Sequence, residues 1–189
     1  MDSAIAKRLI LHVGGKIGTQ REAGGKSKLD PLVPKYLNAA RYQQMKWLIL
    51  RDLDWDGGCA PELRGKMLAE TDPYLCFRIA VREAESWLLA DSRSMADFLR
   101  ISENRVPVLP DRIDNPKEAL VSLARSSKKS DVRAALIPHP RSGLSSGPEY
   151  ASWMTKFAAQ HWNLNDAVAS GRSPSLIKAV NRIKQLVDL

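Results

Sequence analysis

Four consecutive apolar residues, Trp47 to Leu50, run straight into Arg51-Asp52-Leu53-Asp54-Trp55-Asp56-Gly57. A short apolar run of this kind reads as a β-strand buried on both faces, and such strands belong to mostly parallel sheets covered by helices. The acids then leave the sheet at the carboxyl end of a strand, where open α/β sheets place their ligands. Residues two apart in an extended chain point to the same side, so Asp52, Asp54 and, if the chain stays extended, Asp56 converge. Converging carboxylates repel one another, and a hard divalent cation, Mg²⁺ or Mn²⁺, is the economical way to hold them together. The bland alternative is a solvated acidic turn whose glycines merely end the strand.

Two other chemistries use similar residues. A calcium loop beginning at Asp52 would need its bidentate glutamate where Leu63 stands, and it would follow a helix instead of an apolar strand. A phosphotransferase with an aspartyl nucleophile would need a second acidic pair after a strand as its metal partner, and none offers itself.

The strand signal recurs on either side of the aspartates. Arg8 to Val13 (RLILHV), Lys46 to Arg51 (KWLILR) and Tyr74 to Val81 (YLCFRIAV) read as strands, with a helix after Pro31 carrying Val33, Leu37 and Ala40, and another over Ala60 to Glu70. Arg82 to Asp91 starts a further helix that continues or restarts through Leu99, with Ser92 or Ser94 as its cap. Beyond this point the chain reads as helical. Asn115-Pro116-Lys117-Glu118 supplies a cap, a proline at the first helical position and an acid at the third, predicting a helix over Pro116 to Arg125. Glu149 to Trp162 puts Tyr150, Trp153, Met154, Phe157 and His161 on one face, and Ser175 to Val187 forms a similar core stripe. The expectation is one α/β domain over residues 1–189, with the sheet within about 1–91 and a mainly helical region over about 92–189.

No stretch is long and apolar enough to span a bilayer, and Ala4 to Val13 is interrupted by Lys7 and Arg8 with no cleavage pattern behind it. Cys59 and Cys76 form neither a CxxC pair nor a ligand set with the scattered His12, His139 and His161, so both read as free thiols. These features predict a cytoplasmic protein with no membrane partner. The formal charge is +8, from 29 Lys and Arg against 21 Asp and Glu, which directs attention to nucleic acid as a partner.

Glu83 and Glu85 follow the third predicted strand and fall at the same sheet edge as the aspartates if the two strands are parallel. In an extended segment both face the metal; in a helix only one does, and Glu85 is preferred, with helix capping as the alternative for either. Basic residues surround the acids: Lys16, Arg21, Lys26 and Lys28 in a glycine-rich loop, Arg51 and Arg82 beside the strands, and Arg125, Lys128, Lys129, Arg133 and Arg141 beyond. Lys16, Arg51, Arg82, Lys128 and Lys129 are the candidate nucleic-acid contacts, holding phosphates while the acids hold metal. Gly14-Gly15-Lys16-Ile17-Gly18 lacks the spacing of a nucleotide-binding P-loop. Trp55 either stacks on a base or packs in the core, and packing is the usual role of a large aromatic.

The stretches LILRDLDWD, IAVREAESWLLAD, DNPKEALVSLARSSKK, GPEYASWMTKFAAQHW and SPSLIKAVNRIKQL cover most of the chain from residue 48 onward. They resemble bacterial TOPRIM-like proteins of unknown function, related at fold level to overcoming-lysogenization-defect nucleases and topoisomerase-primase domains. The resemblance implies a mostly parallel, four-stranded sheet flanked by helices, with a helical C-terminal part. It also implies a metal held by Asp52 and Asp54, with Glu83, Glu85 and Lys117 close by. The implied activity is Mg²⁺- or Mn²⁺-dependent phosphodiester hydrolysis in DNA or RNA by a phage-defence effector working with an ATPase, with Asp52, Asp54, Glu85 and Lys117 as the catalytic set. TOPRIM enzymes also carry a glutamate just after their first strand, where this chain has His12-Val13-Gly14-Gly15. Either Glu85 replaces that acid, or the protein is a non-catalytic subunit that binds nucleic acid or a partner.

Overall fold

The computed structural model describes residues 1–56, 58–68 and 70–189. Helices α1 (Asp2–His12), α2 (Lys26–Leu29) and α3 (Val33–Gln43) precede strand β1 (Trp47–Asp52), and α4 (Ala60–Met67) leads to β2 (Leu75–Ala80). Helices α5 (Glu85–Leu89), α6 (Ser92–Leu99), α7 (Pro116–Arg125) and α8 (Ser130–Leu136) follow. The chain ends with α9 (Tyr150–Lys156), a π-helical turn (Phe157–His161), α10 (Leu164–Ala169) and α11 (Pro174–Val187).

The expected four-stranded sheet is not formed. Among the described residues there are two strands, β1 and β2, paired in parallel with Trp47 opposite Leu75 and Asp52 opposite Ala80. The chain is 56% helix, and the sheet expected to organise its first half is reduced to this one ladder. The predicted strand at Arg8 to Val13 lies mostly within α1. A short apolar run does not distinguish a strand from a buried helix, and here Ile5 and Leu9, one helical turn apart, are both fully buried. The glycines after it terminate the helix. Gly14 adopts φ +79°, Gly15 N–H donates to the Ile10 carbonyl, and a Cβ on Gly15 would stand 2.8 Å from the Val187 side chain of α11.

Two parallel strands expose both faces, and helices must cover each. Alternation along the strands divides the apolar residues into two cores. Ile49, Leu53, Leu75, Phe77 and Ile79 face Val33, Leu37 and Ala40 of α3 and Leu63 of α4. Leu48, Leu50, Cys76 and Ala80 face the larger core, built by α1, α5 to α9, α10 and α11 around Trp87, Phe157 and Trp162. Cys76 is buried and Cys59 is exposed, and neither forms a disulfide.

The helical region follows its local signals closely. Asn115 caps α7 by accepting from Glu118 N–H, and Ser173 caps α11 by accepting from Leu176 N–H. Two details differ. The helix expected over Glu149 to Trp162 widens into the π-turn at Phe157, leaving His161 exposed. Asp91, instead of Ser92 or Ser94, caps α6: its Oδ1 accepts from Ser94 N–H at 3.1 Å, while Oδ2 accepts from Asn163 N–H at 2.6 Å at the start of α10. Asp91 is 2% exposed, so its removal strands two N–H donors where water has little access. Asp91→Ala is therefore expected to cost about 2–3 kcal/mol in urea denaturation. Asp91→Asn, which keeps the cap but lacks the second acceptor oxygen, should cost less.

Candidate acidic centre

The β1–β2 ladder continues past the strand ends. Leu53 N–H donates to the Ala80 carbonyl and Asp54 N–H to the Arg82 carbonyl, both at 2.9 Å, and Arg82 Nη1 donates to the Asp54 carbonyl at 3.1 Å. The segment carrying the aspartates is thereby held beside the one carrying Glu83 and Glu85. Asp52 Oδ1 accepts from Ala84 N–H at 2.8 Å, fastening the first acid directly to the second segment.

The three aspartates do not converge as expected. Asp54 takes up φ +48° and Asp56 N–H donates back to the Leu53 carbonyl, so the chain turns and the period of two is lost. Asp52 faces the larger core. Asp56 instead joins Arg51, with Nη2 to Oδ2 at 2.7 Å, and Lys26, with Nζ to Oδ2 at 2.7 Å. Those partners hold the Asp56 carboxyl below its ordinary range. Asp54 lies between the two groups, its Oδ2 2.9 Å from Lys26 Nζ.

Arg51 is 6% exposed and makes a two-pronged pair with Asp30, Nε to Oδ1 at 2.9 Å and Nη2 to Oδ2 at 2.8 Å. Asp30, then Asp56, raise its pKa against the opposing effect of burial. Its guanidinium is thus engaged in tying the segment around α2 to β1.

On the other side, Glu83 Oε2 accepts from Lys117 N–H at the start of α7 at 2.9 Å, and Glu85 Oε1 accepts from the Tyr150 hydroxyl at 3.1 Å. Lys117 Nζ stands 5.2 Å from the Tyr150 ring centroid, as a cation over an aromatic face. Burial raises Asp52 to about 8, helped by the charges of Asp2 and Glu85 and opposed by Ala84 N–H. Burial likewise raises Glu85 to about 7, with the charges of Glu83 and Asp2 adding to it and Tyr150 opposing. Glu83 is also raised, by burial first, with Lys117 N–H opposing and Asp54 adding. Asp52, Asp54, Glu83 and Glu85 thus act on one another as a single electrostatic group. Among the described residues, however, no three acidic, histidine or cysteine side chains form a ready metal-ligand set.

Asp2 is the member that sequence reasoning missed. It stands in the first turn of α1, and its charge reaches both Asp52 and Glu85. Reading Arg8 to Val13 as a strand hid the helix that positions it. Tyr150 and Asp30 were missed for another reason: nothing local in the sequence marks them, and only tertiary packing brings them in.

The predicted basic residues separate. Arg82 lies over the Trp55 ring at 4.7 Å and 3.6 Å from Asp114. Trp55, expected to pack, is 70% exposed. Lys117 and Arg125 line a cavity of about 610 Å³ with Glu83, Ser122 and Ser145. Lys16 is exposed in the glycine-rich loop. Lys128 and Lys129 are exposed at the start of α8, and Lys129 lines a different cavity that contains none of the acids. No helix among the described residues is long and apolar enough to cross a membrane. Compared with known protein families, curated proteins and solved structures, the chain has no match.

Raised carboxyl pKa values mean that the folded protein binds more protons than the unfolded chain between about pH 4 and pH 8. Stability of the metal-free protein is therefore expected to fall as pH rises through that window. Thermal melts at pH 5.5 and 8 check this, and Asp52→Asn should flatten the slope and melt higher than wild type at pH 8.

Proposed function

We propose that this protein is a divalent-metal-dependent phosphodiesterase acting on DNA or RNA, with its centre at Asp52, Asp54, Glu83 and Glu85. The observation that carries the reading is the half-buried Asp52 and the buried Glu85, whose carboxyls are raised to about 8 and 7 beside further acids. Such a group binds protons or a cation, and a divalent ion with hard oxygen preference suits it. Oxygens remain for a ligand: Asp52, Asp54 and Glu83 each engage the protein through one oxygen, and the other oxygen has no hydrogen-bond partner among the described residues. Asp2 adds its charge to the same centre. Bound Mg²⁺ or Mn²⁺ supplies an activated water and charge compensation at a scissile phosphate.

The chain's own groups have separable tasks. Asp52, fixed to Ala84 N–H, and Glu85, fixed to Tyr150, are oriented carboxylates that would hold the ion. Lys117 and Arg125 offer positive charge along the adjoining cavity, whose volume suits a nucleotide-sized group. The resemblance of LILRDLDWD and IAVREAESWLLAD to TOPRIM-like sequences supports the same chemistry. A second reading, a non-catalytic subunit that binds nucleic acid or a partner, is favoured by the absence of three converging ligands among the described residues.

Purified protein with Mg²⁺ or Mn²⁺ is expected to nick supercoiled DNA or cut single-stranded DNA or RNA, and the Asp52→Asn, Asp54→Asn double variant to lose at least about a hundredfold in rate. Metal should also raise the melting temperature of wild type at pH 8 and leave the double variant unmoved. A metal-induced shift without cleavage would select the non-catalytic reading; neither shift nor cleavage would defeat both uses of the centre.

A further inference from the structure

A second cavity, of about 510 Å³, opens between α6, the start of α8, α9 and the π-helical turn. None of its lining residues belongs to the acidic centre. Its walls combine two chemistries. Phe98 forms the hub of an aromatic cluster, with ring centroids 5.5 Å from Trp153, 5.1 Å from His161 and 5.2 Å from the buried Phe157. Around these rings stand Arg100, Lys129 and Lys156, all exposed, and none makes a side-chain hydrogen bond or ion pair among the described residues.

Aromatic clusters of this size usually belong to a core, where every face is covered. This one is not covered: Phe98 and Trp153 are half-buried, and His161 is exposed. The π-turn contributes to the arrangement by ending the regular winding of α9 at Phe157, and such turns concentrate at functional sites. Arg100 takes φ +56°, which a non-glycine residue adopts at some cost, and this conformation closes α6 with Ile101 N–H donating to the Ala96 carbonyl. Aromatic faces beside unpaired cations are what a nucleic-acid base and its phosphate require of a protein surface. The volume falls within the range of small-ligand pockets. Asp97 and Asp131, also on the lining, are acceptors that suit sugar hydroxyls and disfavour a purely anionic ligand such as free phosphate.

We infer that this cavity is a nucleotide-binding site, taking a base against Phe98, Trp153 and His161 and a phosphate at Arg100, Lys129 and Lys156. The ligand is either a free nucleotide or one nucleotide of a single strand, since both present the same ring and phosphate. The inference does not depend on the acidic centre being catalytic.

The test is a calorimetric titration with AMP, and fluorescence-anisotropy binding of a labelled single-stranded oligoadenylate, both without divalent metal. Arg100→Ala with Lys129→Ala, two exposed positions, is expected to weaken binding at least about tenfold, and Trp153→Leu to weaken it with its melting curve recorded alongside. Lys35→Ala, an exposed basic position that lines neither cavity, should bind as wild type, which separates loss of this site from loss of net charge. Loss of both AMP and oligonucleotide binding in the double variant assigns a strand-binding site, and loss of AMP binding alone assigns a free nucleotide. The inference is overturned if neither probe binds at millimolar concentration, if the double variant binds as wild type, or if inorganic phosphate displaces AMP at equal concentration.

Discussion

Parallel pairing of β1 with β2 is the interaction on which the rest of the molecule depends. Parallel neighbours finish at the same edge, so the loops that leave them start side by side. Here the ladder runs on by two further backbone hydrogen bonds, and those bonds carry the aspartate segment past the glutamate segment at fixed register. The acids are thus brought together by backbone pairing, against their mutual repulsion. Two strands alone would be marginal in water, and the helices on both faces supply the burial that keeps them paired.

The alternation of the strand also sorts charge. Arg51 and Asp52 are adjacent, yet they serve opposite faces: Arg51 is neutralised by Asp30 and Asp56 near the smaller core, and Asp52 is turned toward the larger one. One consequence is that the cation nearest in sequence forms its ion pairs with Asp30 and Asp56 and not with the acid beside it. Among the described residues, the hydrogen bond that Asp52 accepts is from the Ala84 N–H.

What could be read from the sequence follows the range of the forces involved. Helices set by local caps were legible: α7 from Asn115-Pro116, and α11 from its apolar stripe. Both strands were legible because four to six apolar residues end in acids or turn residues. The Arg8 to Val13 segment reads as a strand but folds as helix, because so short an apolar run carries no period long enough to separate the two. In the acidic centre, Asp52, Asp54, Glu83 and Glu85 follow segments that read as neighbouring strands, and the ladder holds those two segments side by side. Asp56 was placed with them on the assumption of an extended chain, which the turn at Asp54 breaks. Asp30 and Tyr150 reach these residues through contacts more than twenty positions away in the chain, and Asp2 through its charge, and no local pattern announces either.

The close approach at Gly15 links distant parts of this arrangement. With no side chain there, the end of α1 lies against Val187 near the end of α11, and Lys46 Nζ holds the Val187 carbonyl at 2.9 Å just before β1 begins. The last turn of α11 is therefore a clasp across the two elements, α1 and β1, that carry Asp2 and Asp52. Unwinding that one turn, by a partner or by a bulkier residue at position 15, would shift the spacing of two carboxylates at the far ends of those elements. The spacing within the acidic centre is in this sense coupled to the opposite end of the chain.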